Sequence, residues 1–439
     1  MKSALSSKSL FKIVFSKPVF LKLLVLCTIY KALLEYVYKA LLSKRWGYAG
    51  FIYTKPQIMP YLGSWCLLIL IVVVLSMLDK MDTFSSIILE CIIVLSYIPG
   101  IVLFTCKEQE MLGLFLLYWL FLFICYFVII PEKDVAYKID ISESFLQLLS
   151  YVFFFFCFAI WAIYARFNVL SSIIYVYDQR EIAANYNMPK IMKYLYGSIQ
   201  VCIPFLAVWA LNRKKTATLI ILIAAQILSF FSQGSKSALF ALIVGIATHY
   251  VTDIDKKRQS GIIITLGGVL LCVVSLLGNL FHSTFVPDYI LRRNMFLPNL
   301  LNIYYYDYFN THEYDYFRSS FLRFFGFSSP YSENSIPREI GAVYFNAPRM
   351  YANNGLFSDA YSNLGVLGIV VMPILVVLLL RFFDKCIGKT SLDMMVGAAV
   401  YVVFCMIGST FFTNLFSHGF IMLALLFCFL QKNNTQIKK

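Results

Sequence analysis

The feature that most constrains this chain is a series of apolar runs, each near the roughly 20 residues needed to cross a bilayer as a helix. They recur from one end of the chain to the other, at roughly 18–42, 60–78, 84–105, 111–130, 144–165, 194–211, 216–232, 235–252, 260–280, 358–380, 392–411 and 415–430. Only helices and closed barrels satisfy their backbone polar groups inside lipid, and runs this long and continuous are helical. Charged residues are 14% of the chain, where a soluble domain carries roughly 25%. The expected fold class is therefore all-α: a polytopic membrane protein with about 12 transmembrane helices. We expect one integral membrane domain, 1–439, with one large extracytoplasmic loop, 281–357, between spans nine and ten.

The first run is interrupted by Lys22, Lys31, Glu35 and Lys39. Lys31 and Glu35 stand four residues apart and suit an ion pair on one helix face. Lys39 suits snorkelling to the interface, and an interfacial helix is the alternative for the whole run. The net charge of +14 would point to nucleic acid in a soluble protein. Here it points to orientation, because cytoplasmic loops collect Lys and Arg. The segments Arg213-Lys214-Lys215, Lys256-Lys257-Arg258, Arg381 to Lys389 and Lys432 to Lys439 are basic. With twelve spans they share one side, which puts both termini inside. The loop Pro131 to Glu143, on that same side, is acidic. The eleven cysteines form no CxxC pair and avoid the large loop, so they read as small apolar side chains and not as a disulfide framework.

The loop 281–357 has an unusual inventory. It holds six arginines and no lysine: Arg292, Arg293, Arg318, Arg323, Arg338 and Arg349. It also holds six acids, Asp288, Asp307, Glu313, Asp315, Glu333 and Glu339, and ten tyrosines, among them Tyr304, Tyr305, Tyr306 and Tyr308. Arginine is favoured where a planar fork holds phosphate or carboxylate by two bonds. Aromatic faces stack on sugar rings, and a carboxylate or histidine accepts a hydroxyl proton. The bland alternative is that the six arginines and six acids pair with one another.

Two shorter stretches add to this. In Gln233-Gly234-Ser235-Lys236-Ser237, Gly234 ends one helix and Ser235 can cap the next. Lys236 then sits in the first turn, where the helix dipole favours an anion. Its bland role is a lysine with its head in water. In Asn353 to Gly365, Asn354, Asp359 and Asn363 crowd the mouth of a span, where polar groups are functional candidates; helix capping is the bland role for Asp359. No phosphate-binding loop of Walker type and no HExxH occurs, and the four histidines are too scattered for a metal site.

Three stretches together resemble the Wzy-type polymerases of O-antigen and capsule repeat units. They are Phe231 to Leu239, Arg292-Arg293-Asn294-Met295-Phe296-Leu297-Pro298 running on to Tyr304–Phe309, and the closing Asn-Asn-Gly to Asp-Ala-Tyr-Ser-Asn-Leu-Gly segment. Lys236 stands where that family more often has Arg. The resemblance implies an all-α, GT-C-like glycosyltransferase of the bacterial inner membrane that uses no metal, nucleotide or other cofactor. Its donor would be a growing glycan on undecaprenyl pyrophosphate, and its acceptor a single repeat unit on the same lipid. A chain-length regulator is an implied partner; nucleic acid is not.

On that reading, Arg292 or Arg293 stabilises the leaving pyrophosphate with Arg180 and Lys236 in support. His312, Glu313, Asp307 and Asp315 are candidates for the base. Tyr304, Tyr305, Tyr308, Arg318, Arg349, Asn354 and Asp359 complete the expected substrate-binding set. Two other functions fit the same layout less well, an O-antigen ligase and a flippase or transporter of lipid-linked sugar.

Overall fold

A computed structural model describes residues 18–81, 83–107, 111–129, 137, 139, 141–169, 176–251, 259–388 and 391–430. The basic segments 256–258 and 432–439, and most of the acidic 131–143, lie outside the described residues. Among those described, every regular element is helical. In chain order they are α1 (Pro18–Val37), α2 (Ile58–Leu78), α3 (Phe84–Lys107), α4 (Met111–Val128), α5 (Glu143–Ile163), α6 (Val176–Ala184), α7 (Lys190–Asn212), α8 (Thr216–Gln233), α9 (Lys236–Val251) and α10 (Ser260–Leu280). A π-helical stretch, Val286–Phe296, then runs directly into an α-helical one, Leu297–Phe309; together they form α11. The remaining helices are α12 (Ile336–Phe345), α13 (Leu356–Leu364), α14 (Val366–Ile387), α15 (Leu392–Gly408), α16 (Phe411–Phe416) and α17 (Phe420–Leu430), and short helical turns lie at Tyr38–Leu42, Ser43–Trp46, Gly47–Ala49 and Leu322–Phe325.

Seven of these helices, α2, α3, α5, α7, α8, α10 and α14, are long and apolar enough to cross a membrane, and α4, α9, α15 and α17 contain shorter apolar helices. Helix α5 shows why the bundle belongs in lipid. Its packed face presents Leu146, Phe153 and Cys157, and its opposite face exposes Leu148, Val152 and Phe155. A helix bordering water would have made that second face polar.

Helix α1 packs lengthwise against α2 and α10. Its buried stripe is Leu23, Cys27, Tyr30, Leu34 and Val37, spaced for one helix face. Lys31 is fully buried. Its ammonium pairs with Glu35 and lies 4.2 Å from the Trp65 ring centre on α2. The interrupted first run is thus a packed helix of the bundle, with its internal charge matched by a carboxylate and an aromatic face.

Two local features set the spacing of helices that carry the candidate site. Pro99 in α3 has no N–H to give, and the turn just before it, Ile93–Tyr97, is widened to a π turn. Asn299 of α11 docks there, donating from Nδ2 to the Ser96 carbonyl at 3.1 Å. Gly100 keeps the passage open, since a Cβ would stand 2.7 Å from Phe115 and 3.2 Å from Asn299. On the other side, α9 crosses α15 with Gly245 against Gly397, where a Cβ on either glycine would meet the other's Cα within 3.3 Å.

Contacts separate the two ends of the bundle. One end joins Glu143 to Arg213 at 3.2 Å, Asp79 to the Gly261 N–H at 2.8 Å and His249 to Asp393 at 2.9 Å. The other end joins Arg45 to Asp288 at 3.0 Å and Asp359 to the Phe411 N–H at 2.7 Å. The segment 281–357 gathers at this second end, away from the basic turn Arg213–Lys215.

Candidate functional site

The site is built around α11, which runs between two walls. One wall is the turn between α8 and α9. Gly234 takes a left-handed conformation, φ +66°, and its N–H closes α8 on the Phe230 carbonyl at 2.7 Å. The carbonyls of this turn are gripped by α6. Gln179 Nε2 donates to Ser232 O at 2.9 Å, Tyr186 Oη to the same oxygen at 3.1 Å, and Arg180 Nε to Gly234 O at 3.1 Å. Lys236 begins α9 directly after the turn, with its ammonium 5.6 Å from the ring centre of Tyr289 on α11.

Arg180 and Arg293 are both close enough for their charges to bear on Lys236. Three cations from three separate stretches of the chain are therefore gathered at the first turn of α9. Cations set this close suit a multivalent anion. The neighbouring Arg292 faces the opposite wall, with its guanidinium 3.7 Å from the Trp46 ring centre. Adjacent positions on a helix point in different directions, and the pair is split accordingly between the two sides of α11.

That second wall is the segment after α1. Arg45 Nη1 and Trp46 Nε1 both donate to Asp288 Oδ1, at 3.0 and 2.8 Å, pinning the start of α11. Further along α11, the Tyr304 ring stacks on Tyr344 of α12 at 4.4 Å and 11°. Tyr344 Oη donates to Asp307 Oδ2 at 2.6 Å. Burial, and then the Asp307 carboxylate, push this phenol well above its ordinary value.

Among the base candidates, His312 stacks on Tyr308 at 3.9 Å and donates from Nδ1 to the Tyr308 carbonyl at 2.8 Å. That bond leaves the lone pair on Nε2, of an exposed ring. Glu313 instead pairs with Arg318 at 2.7 Å. Asp315 is fully buried and accepts from Ser319 and Ser329, at 2.6 and 2.5 Å.

Several expected ligand-binding residues are turned inward. Arg318 also donates to the carbonyls of Asp315 and Tyr314 at 2.9 Å each, so it clamps its own loop. Tyr305 is buried and donates to the Ala352 carbonyl at 3.0 Å. Asn354 Nδ2 donates to Pro298 O, Asn302 Oδ1 and Ser358 Oγ, at 3.0, 2.7 and 2.6 Å. Asp359 accepts from Asn363 Nδ2 at 2.9 Å besides the Phe411 N–H. It lies on α13, ahead of the span α14, and burial pushes its carboxyl up to about 7. Arg349 is exposed on the rim after α12.

The arrangement also brings in residues with no local signal in the sequence. Trp46 and Arg45 reach α11 from more than two hundred positions away, and Lys107 ends α3 with its ammonium 5.8 Å from the Tyr304 ring centre. The pairing of loop arginines with loop acids is realised at Arg318 and Glu313, whereas Arg45 takes Asp288, Tyr344 takes Asp307 and serines take Asp315. No protein-family model, curated protein or solved structure matches this chain.

Proposed function

We propose that this chain is a Wzy-type polymerase, a membrane glycosyltransferase that joins oligosaccharide repeat units carried on undecaprenyl pyrophosphate. In this reading twelve helices cross the bacterial inner membrane with both termini in the cytoplasm. The end of the bundle that carries α11 faces outward. The single observation that carries the reading is the convergence of Arg180, Lys236 and Arg293 beside tyrosine-rich α11. A pyrophosphate needs several fixed cations, and a sugar needs aromatic faces and hydroxyl partners beside them.

The acceptor hydroxyl attacks the anomeric carbon of the donor. The bond from that carbon to the pyrophosphate oxygen breaks, and its electron pair leaves with the lipid pyrophosphate. Arg293, Lys236 and Arg180 stabilise the charge that gathers there. His312 stacks on Tyr308, about 20 Å of helix beyond Arg293, so the acceptor proton passes to water or to the departing pyrophosphate rather than to this ring. Asp307 serves the platform made by Tyr304 and Tyr344.

The test is deletion of the gene, with the surface polysaccharide resolved by size. Single repeat units that are exported but never chained support the polymerase. Chained polymer that fails to reach its final acceptor marks a ligase. Loss of all exported units marks a transporter, the reading to which Lys31, buried in the bundle with Glu35, would then belong.

A further inference from the structure

The exposed large apolar side chains of 297–357 are not scattered. Tyr316, Phe321, Phe324, Phe325 and Phe327 fall in one short stretch, against Val343 and Tyr351 elsewhere. Phe324, Phe325 and Phe327 are 75%, 66% and 54% exposed, on either side of Gly326. Phenylalanines turned out of the fold together mark a surface for an apolar partner. We infer that this tip is seated in the bilayer, in the leaflet at the α11 end of the bundle, with phospholipid as its partner.

What covers the tip follows from where its base is fixed. The N–H groups of Asp315 and Tyr316 donate to the carbonyls of Ser362 and Asn363, at 2.9 and 3.3 Å, and the Phe317 N–H donates to Asn363 Oδ1 at 2.6 Å. Tyr314 lies against Gly365, where a Cβ would stand 2.6 Å from its ring. Ser362 and Asn363 belong to the last turn of α13, and the span α14 begins at Val366, with Val366, Leu367 and Val370 exposed on the face that meets lipid. The base is therefore held level with the first turn of a membrane-crossing helix, at the interface where aromatic side chains collect. On the other side, Phe317 and Phe321 both pack on Phe412 of α16, with ring centres 5.5 and 5.0 Å apart. The exposed phenylalanines thus continue a lipid-facing surface that the bundle already has.

The stretch is also built to stand in an apolar medium. Leu322–Phe325 is a single tight helical turn, closed by Gly326 at φ +86°. The N–H groups of Phe324, Gly326 and Phe327 donate to the carbonyls of Phe321, Arg323 and Leu322, at 3.2, 3.2 and 3.4 Å. Backbone groups bonded within the turn need not be stripped of water as it enters lipid. Tyr316 to Ser328 contains no acid. Of the acids before it, Glu313 is held by Arg318 and Asp315 by Ser319 and Ser329. Arg323 is exposed beside Phe324 and makes no ion pair among the described residues. An arginine at that place suits a lipid phosphate while the rings beside it go deeper. Glu333, the next acid along the chain, is exposed in the following turn and serves as a marker for water.

Seating of the tip requires only the membrane bundle, and it stands or falls apart from the polymerase reading. Full-length protein is placed in vesicles of phosphatidylcholine with a minority of phosphatidylglycerol, with or without phosphatidylcholine that carries a doxyl quencher high on its acyl chain. An environment-sensitive fluorophore is attached through Phe325→Cys or, as the control, Glu333→Cys. Both are made on Cys66→Ser, because Cys66 is the exposed cysteine and the other ten are buried. The label at position 325 should emit to the blue, lose intensity to doxyl lipid and be shielded from iodide in the water. The label at position 333 should do the reverse. Labels through Phe324→Cys and Phe327→Cys should follow position 325. Phe324→Ser with Phe327→Ser should return the label at position 325 to water. Iodide reaching position 325 as readily as position 333 overturns the seating. Equal quenching of both positions by doxyl lipid overturns it too, because the label itself would then be the anchor. A label that stays immersed in the serine variant overturns the part given to the phenylalanines. Shielding from iodide without quenching by doxyl lipid overturns the choice of phospholipid, and energy transfer between labelled copies would then give this face to a second copy of the chain.

Discussion

The α8–α9 turn and the α13 segment both place polar residues at the mouth of an apolar helix, yet they use them in opposite ways. At the turn, Lys236, Arg180 and Arg293 are gathered with the same sign of charge. Asn354, just ahead of α13, and Asp359 and Asn363 within it spend their polar atoms on Asn302, Ser358, the Phe411 N–H and the Phe317 N–H. The first arrangement gathers charged heads from three stretches of the chain at one place. The second is closed on itself and ties the loop to α11 and α16. A polar group near the membrane edge is a candidate for function, and its partners decide whether it serves a ligand or the scaffold.

The largest expected effect is on the scaffold. Asp359→Ala leaves the buried Phe411 N–H without its acceptor and takes from the Asn363 amide one of its two, the Asp359 carbonyl remaining, at a cost of about 2–3 kcal/mol. Thermal unfolding in detergent should show a drop of several degrees or a failure to accumulate. Asp359→Asn keeps an oxygen acceptor and should be milder. The pH dependence sharpens this. The folded carboxyl is raised to about 7 from an ordinary 3.8, so its contribution is fully present below about 4 and is lost as pH rises through 7. The melting temperature of the wild type should therefore fall relative to that of Asp359→Asn between pH 4 and pH 8. Parallel curves would break the account of this residue.

Next comes the turn. Neutralising Arg180, Lys236 and Arg293 together should reduce chain formation roughly 100-fold or more. The melting temperature should fall only slightly, by the roughly 1 kcal/mol that Arg180 contributes through the Gly234 carbonyl. A large loss of stability with no specific loss of activity would place these residues with the scaffold and erase the contrast. Arg318→Ala should fall between, with about 1–2 kcal/mol of stability lost through its bonds to Glu313 and two carbonyls. Activity per folded molecule should be nearly unchanged. The smallest effect is expected for Tyr344→Phe. It removes one hydroxyl from Asp307, about 1 kcal/mol, and should appear as a modest rise in KM for the acceptor.

The helical membrane bundle was legible because lipid imposes a length and a composition on each helix. The segment 281–357 stood out by its arginines and tyrosines, but the helices α11 and α12 within it did not, because no apolar run of membrane length marks them. The place of α1 was less legible. Lys31 and Glu35 break the apolar pattern, and their acceptance inside the bundle depends on Trp65 of another helix. The division within the candidate set was hidden for the same reason. Arg292 and Arg293 are adjacent and chemically identical, and only the helix they share turns one to Trp46 and the other toward Lys236. Asp359 reads as a local cap, but its main partner is the N–H of Phe411, beyond a whole membrane-crossing pair of helices. Lys107 and Trp46 carry no motif and gain meaning from contacts with α11.

The most direct measurement combines purified protein in liposomes with repeat units on undecaprenyl pyrophosphate. Glycan length and freed lipid pyrophosphate are read together over time. The account expects a ladder of whole multiples, with one lipid pyrophosphate freed for each bond formed, and loss of both when Arg180, Lys236 and Arg293 are neutralised. Repeat units that stay single, or a ladder indifferent to the three cations, would contradict it.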